Sequence, residues 1–185
     1  MENVFDNVFE NVFETDDPKR IFQWDNLGDI KTGRGGLGEE MPVALYRLMQ
    51  YTMVDVLSRE FGLDKANSIL RDSGYLAGCE FAENALITDQ DFDAFVSHLQ
   101  EQLKLLKIGI LRMEQFDEDS GEVVLTIEED LDCSGLPITG NTVCHYDEGF
   151  LAGILFTYTG KSYDVREIDC WATGNRCCRF RGIVI

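Results

Sequence analysis

Four residues in the last quarter of the chain have the types and spacing to do chemistry: Cys144, Glu167, Cys170 and Cys178. Thiolate and carboxylate donors together suit zinc and disfavour magnesium or calcium. Three thiolates and one carboxylate fill all four positions of a tetrahedral ion, the pattern of a structural site rather than a catalytic one. Glu167 and Cys170 close one predicted strand, and Ala172-Thr-Gly-Asn-Arg176 supplies a turn that brings Cys178 back beside them. Cys144 opens the run Cys-His-Tyr-Asp-Glu-Gly-Phe150 at a predicted helix start. The competing reading is a set of buried apolar thiols, because free cysteine packs as a small hydrophobe. Cys79 and Cys133 are read as such thiols, and Cys177 should point to the strand face opposite Cys178. His145 is a substitute ligand by adjacency to Cys144.

Four anionic ligands around a divalent ion leave about two negative charges. Lys161, Arg166, Arg176, Arg179 and Arg181 make this region locally basic and either offset that charge or form a solvated strand face. No catalytic constellation stands out. His98 and His145 are the two histidines, and no Gly-x-Ser-x-Gly elbow is present. His98, between Val96 and Leu99, reads as a hydrogen-bonded histidine at a helix edge or as the polar contact of a ligand cavity.

The elements that must position these residues follow from periodicity. Val43 to Phe61 repeats apolar residues at helical spacing and is stopped by Gly62. A second helix is expected from an N-cap at Asp64 to Ala85, and a third from near Asp89 to Lys107. Gly74 and Gly78, four apart, predict close approach of another helix or of a ligand. The period then changes to two. Ile108 to Phe116 and Glu122 to Ile127 predict a hairpin, 129–143 is irregular, Tyr146 to Thr159 predicts a helix, and Ser162 to Trp171 and Cys178 to Ile185 predict closing strands. Helices first and strands later is an α+β order, with N-terminal helices packed on an antiparallel sheet and a zinc lobe over 144–185. One short strand is expected near Phe22 to Ile30. Gly33-Arg-Gly-Gly-Leu-Gly38 matches a dinucleotide loop in letters only, because the preceding residues are too polar for a buried strand; a flexible connection is the reading.

The chain of 185 residues suits one domain with a real core. A net charge of −18 repels phosphate, which disfavours nucleic acid and anionic membrane surfaces as partners. No apolar run approaches the ~18 residues of a membrane span. The first residues are acidic where a signal peptide is basic, so the expected location is cytoplasmic. In that compartment the 6 cysteines are not a disulfide framework. Residues 1–16 repeat Asn-Val-Phe-acid and put Phe5, Phe9 and Phe13 on one helical stripe, either an amphipathic arm or a disordered leader ahead of a domain over 17–185.

The run Cys144 to Gly153, then Glu167-x-x-Cys170, then Gly174-x-x-x-Cys178-x-Phe180, resembles the signature of the 4-vinyl reductase domain family. Its members include predicted hydrocarbon-binding proteins, effector domains of phenol- and xylene-sensing transcription activators, and a protein tied to bacteriochlorophyll vinyl reduction. Asn26 to Ile30 and Gly74 to Gly78 carry further resemblance. The resemblance implies an α+β fold like that of TRAPP-type vesicle-tethering subunits, usually dimeric. It also implies a structural zinc on Cys144, Glu167, Cys170 and Cys178, near an apolar pocket. The expected function is therefore a homodimeric sensor or carrier for a small aromatic or hydrocarbon molecule, with His98 as the candidate ligand contact. The alternatives are an accessory factor or enzyme of tetrapyrrole vinyl reduction, for which no nicotinamide or flavin site is recognisable, and a protein-interaction module with a filled core.

Overall fold

In a computed structural model of the chain, residues 22–117 and 119–185 are described. The proposed arm over 1–16 lies outside them. Residues 41–185 form one compact unit and residues 22–40 belong to another. The second holds a 3-10 turn, Trp24–Leu27, and a short helix α1, Ile30–Gly33. The strand expected near Phe22 to Ile30 is not there. Its polar side chains turn the backbone instead: Asn26 Oδ1 accepts from the Gln23 N–H at 2.7 Å, and Asp29 Oδ1 accepts from the Thr32 N–H at 2.9 Å. Among the described residues no strand precedes the glycine run, and Arg34 Nε closes it as a loop by donating to the Gly38 carbonyl at 2.8 Å.

The main unit has helices α2 (Val43–Phe61), α3 (Leu63–Ala85), α4 (Phe92–Leu105) and α5 (His145–Thr159). Its strands are β1 (Ile110–Phe116), β2 (Val123–Glu128), β3 (Tyr163–Asp169) and β4 (Cys178–Val184). The strands form one antiparallel sheet in the order β1-β2-β4-β3. The architecture is α+β. The expected cap at Asp64 and helix start near Asp89 move: Gly62, at φ 82°, serves both α2 and α3, and Asp91 caps α4 by accepting from the Ala94 N–H at 3.0 Å. No helix among the described residues is long and apolar enough to cross a membrane.

Two packing decisions matter for the site. First, α3 and α5 touch backbone to backbone. A Cβ built on Gly74 or Gly78 of α3 would stand 2.0 or 2.1 Å from the carbonyl oxygens of Tyr146 and Phe150. On α5, a Cβ on Gly149 or Gly153 would stand 1.9 or 2.3 Å from those of Arg71 and Tyr75. Small residues four apart on both helices permit that approach. Gly74 and Gly78 thus make room for a helix and not for a cavity.

Second, α2 is turned apolar side out. Leu45, Leu48, Met49, Met53 and Val56 are each roughly half exposed, and Gln50 is its one fully buried residue. Its inner face is polar and grips the segment between β2 and α5. Arg47 donates to the carbonyls of Leu131 at 2.7 Å and Ser134 at 2.9 Å, while the Tyr46 hydroxyl and Gln50 Nε2 donate to the Asp132 carboxylate at 2.8 and 2.6 Å. The Tyr51 hydroxyl adds a bond to the Asp132 carbonyl at 3.0 Å.

Candidate metal centre

Alternation along the sheet brings the donors inward. On β3, Tyr163, Val165 and Glu167 are buried, and on β4 Cys178, Phe180 and Gly182 are. Period-two geometry therefore puts Glu167 and Cys178 on the core face of neighbouring strands. Cys170 follows β3 and caps a 3-10 turn, Trp171–Thr173, with Thr173 Oγ1 accepting from the Cys170 N–H at 3.1 Å. Gly174, at φ 102°, reverses the chain toward β4. Cys144 stands immediately before α5, and its thiol is fully buried.

These four donors meet. The ligand atoms of Cys144, Glu167, Cys170 and Cys178 lie within 4.8 Å of one another, together with that of Cys133. Cys144 Sγ is 3.7 Å from Cys178 Sγ and 4.0 Å from Cys170 Sγ. A tetrahedral ion with Zn–S bonds of ~2.3 Å spans donor edges of ~3.8 Å, so both separations suit a shared ion. Glu167 Oε2 accepts from the Val143 and Cys144 N–H groups at 3.2 and 3.1 Å. Its other oxygen, Oε1, is buried without a hydrogen-bond partner. A carboxylate oxygen so placed among thiols can serve as a metal donor, and the residues fit zinc on that observation.

Cys133 corrects the sequence reading that made it an ordinary buried thiol. It sits in the irregular segment, where Asp130 Oδ1 accepts from the Asp132 and Cys133 N–H groups at 2.9 and 3.0 Å and turns the side chain inward. Its sulfur is 3.0 Å from Cys178 Sγ, too short for two corners of the same zinc tetrahedron. It reads better as sharing an S–H···S hydrogen bond with the Cys178 sulfur. A cysteine directly after two acids, Asp130 and Asp132, was the available signal, but a segment without periodicity gives no direction for a side chain.

Cys79 fits its assignment, its thiol directed at the Gly153 carbonyl at 3.6 Å in the α3–α5 contact, and Cys177 is outside the cluster. His145 is turned to Glu148 Oε2 at 3.1 Å, which also takes Arg71 Nη1 at 3.0 Å. Glu148 Oε1 in turn accepts from the Glu167 N–H at 2.9 Å, which steadies the strand end carrying the carboxylate donor. His98 is engaged elsewhere: its Nδ1 accepts from the Ile87 N–H at 3.2 Å at the α3–α4 connection. The basic cluster does not surround the sulfurs. Arg166 pairs with Asp164 at 2.8 Å, Arg179 with Glu114 at 2.6 Å and Arg181 with Glu122 at 2.7 Å, and Arg176 lies over the Trp171 ring. That is a solvated strand face.

Without a cation the site holds protons. Burial, then the Cys170 sulfur, pushes Glu167 up to about 8. Burial and the neighbouring Asp132 raise Asp130 to about 6, and burial with Asp132 and Asp130 lifts Asp147 well above the usual carboxylate range. Cys170 goes the other way, its thiol lowered by hydrogen bonding with the Cys133, Cys144 and Cys178 sulfurs. A metal ion inverts this balance by replacing protons with its own charge.

Two concavities flank the cluster. A groove of about 680 Å³ is lined by charged residues including Arg47, Lys107, Glu128 and Arg176. A smaller cavity of about 420 Å³ lies between α2, α3 and the 139–143 segment. Its wall mixes Tyr51, Val54, Leu63, Leu70 and Val143 with polar Gln50, Asn67, Thr139, Asn141, Thr142 and His145. His98 lines neither.

A match to the V4R domain covers residues 123–183, the stretch that holds every donor of the cluster. The Methanocaldococcus jannaschii protein MJ1642 is 31% identical over 144 residues, 78% of this chain and 78% of that protein. The chain belongs to the V4R domain family. Among solved structures, the phenol-responsive sensory domain of the transcription activator PoxR, bound to phenol, shares the fold at a TM-score of 0.61 and 15% identity, over 80% of this chain and 76% of that one. A trafficking protein particle complex subunit 3 from Naegleria fowleri, covalently bound to palmitic acid, gives 0.62 and 13% identity, over 77% of this chain and 95% of that one.

Proposed function

We propose that this V4R domain binds a small hydrophobic molecule, as a sensor or carrier, in the cavity between α2 and α3, and that a structural zinc on Cys144, Glu167, Cys170 and Cys178 holds the cavity's floor in place. The observation that carries this reading is adjacency. Val143 and His145 line the cavity, and the residue between them is the donor Cys144. The phenol held by PoxR's sensory domain and the palmitic acid on the trafficking subunit support an apolar ligand for this fold. The cavity's polar lining refines the class: Asn67, Thr139, Asn141 and Thr142 beside Val54, Leu63 and Leu70 suit a ligand with an apolar body and one hydroxyl or N–H.

A thermal-shift series of phenols, alkylbenzenes and fatty acids tests this. A ligand at a hundred times its dissociation constant should add about 2.7 kcal/mol. Phenols should outperform the alkylbenzenes of the same size, and Val54→Trp, which fills the cavity, should abolish the shift. No shift with any compound, or equal shifts in Val54→Trp, refutes the ligand reading. Elemental analysis of reductively purified protein should find zinc; none would sink the metal reading. Glu167→Gln should weaken zinc less than Cys170→Ser.

A homodimer through the exposed face of α2 belongs to the same proposal. Leu45, Leu48, Met49, Met53 and Val56 form a stripe that water does not favour. Met49→Glu should convert a dimer to a monomer in light scattering and remove the concentration dependence of the melting temperature. A wild-type chain that stays monomeric at high concentration removes the dimer.

A further inference from the structure

We propose that Asp130, Asp147 and Cys144 form a second cation site beside the first, with the Cys144 thiolate bridging two divalent transition-metal ions. The inference rests on the reading that Cys144, Glu167, Cys170 and Cys178 hold a first ion, and it adds a site that those four ligands do not provide.

Three observations carry it. The first is an excess of donors. Ligand atoms of Asp130, Cys144 and Asp147 lie within 4.8 Å of one another, as do those of the five-residue group, and Cys144 belongs to both. One four-coordinate ion leaves Asp130, Asp147 and Cys133 over. The second is an orphan. Asp147 is 6% exposed, and its Oδ2 is buried with no hydrogen-bond partner. A carboxylate so placed is costly unless something cationic or a donor meets it. Its position in the first turn of α5, two residues after His145, follows directly from the helix start that also places Cys144.

The third is the arrangement of the surrounding groups. Asp130 is held by two backbone N–H groups on Oδ1, and that oxygen is 3.9 Å from Cys144 Sγ. A zinc ion bound by both would span an edge of ~3.5 Å. Asp132 is buried beside them but is already taken by Tyr46 and Gln50. The neighbouring guanidinium, Arg47, directs its N–H groups at the carbonyls of Asp130, Leu131 and Ser134, not at a carboxylate. Among the described residues, the negative charge of Asp130 and Asp147 therefore lacks a protein cation pointed at it. Two carboxylates and a thiolate suit zinc or another first-row divalent ion and not magnesium or calcium. Three protein ligands leave one position for water or a further donor.

The test counts zinc on the reductively purified, metal-stripped and reloaded full-length chain, by elemental analysis and native mass spectrometry. Two ions per wild-type chain are expected, and one in Asp147→Asn and in Asp130→Asn, whose second equivalent should weaken by more than about 100-fold. Loading with cobalt(II) should show the first equivalent's thiolate-to-metal absorption unchanged in Asp147→Asn. Asparagine is isosteric and uncharged, so the metal-free variant should melt no lower than wild type. A wild-type chain that saturates at one ion overturns the second site and leaves the first standing, with protons on the two acids. Two ions retained in both variants also overturn it, by placing the second ion elsewhere. No ion in any form removes both readings together. The wild-type count decides even if a variant fails to fold.

Discussion

Replacing Gly149 with alanine tests the packing on which the whole site depends. A Cβ there would lie 1.9 Å from the Arg71 carbonyl oxygen and 2.8 Å from both Arg71 C and Tyr75 N, all backbone atoms that no rotamer change can move. Ordinary contact begins near 3.4 Å, so α3 and α5 would have to separate by about 1.5 Å locally. On an exposed helix the same change would gain about 1 kcal/mol from propensity. Overpacking against a rigid wall costs about 3 kcal/mol or more. The net expectation is a loss of about 2 kcal/mol, or a fall of ~4–8 °C in melting temperature for a unit of this size. Gly36→Ala, where nothing lies within 4 Å of the new Cβ, is the control and should change stability by less than ~0.5 kcal/mol. Gly74 faces the same contact from the other helix, meeting the Tyr146 carbonyl, so the double variant should cost less than the sum of the two. Because Cys144 precedes α5, metal binding should weaken in step with the helix shift. Urea denaturation of the metal-free forms gives the numbers. A Gly149→Ala protein as stable as wild type, or more so, refutes the backbone-contact argument.

Tyr46→Phe removes the hydroxyl that donates to Asp132 at 2.8 Å and should cost about 2 kcal/mol, because it strips a donor from a buried carboxylate; urea midpoints within experimental error of wild type would show that the α2 grip contributes nothing. The N–H and side chain of Ser120 and the N–H of Asp119 hold the exposed Asp117 below the usual carboxylate range. A lowered folded-state value stabilises the β1–β2 turn above the ordinary carboxyl pKa of ~3.9, and that contribution is lost as pH falls through the lowered value. A carboxyl NMR titration should place the Asp117 midpoint below that of a free aspartate, and a midpoint at or above it would refute the turn assignment.

Much of the local structure was legible in the residues alone. Periodicity located α2 over Val43–Phe61 and the hairpin of β1 and β2, because amphipathic repeats of 3.6 and 2 are local properties of the chain. Spacing and the family resemblance pointed to Cys144, Glu167, Cys170 and Cys178, and the short turn between Cys170 and Cys178 leaves those two little freedom in where they end up. Tertiary structure decided what periodicity cannot express. A stripe of Leu and Met shows which side of α2 is apolar, but not that this side faces out while Tyr46, Arg47 and Gln50 face in. Glycines four apart on α3 announce a close approach, but only α5 shows that the approaching group is a helix. His98 went to a chain connection because the Ile87 N–H needed an acceptor there. Asp147 is placed by the start of α5, but Asp130 and Cys133 are drawn to the cluster by contacts from α2 to their segment. That segment has no repeat of its own, so its side-chain directions come from the partners that grip it.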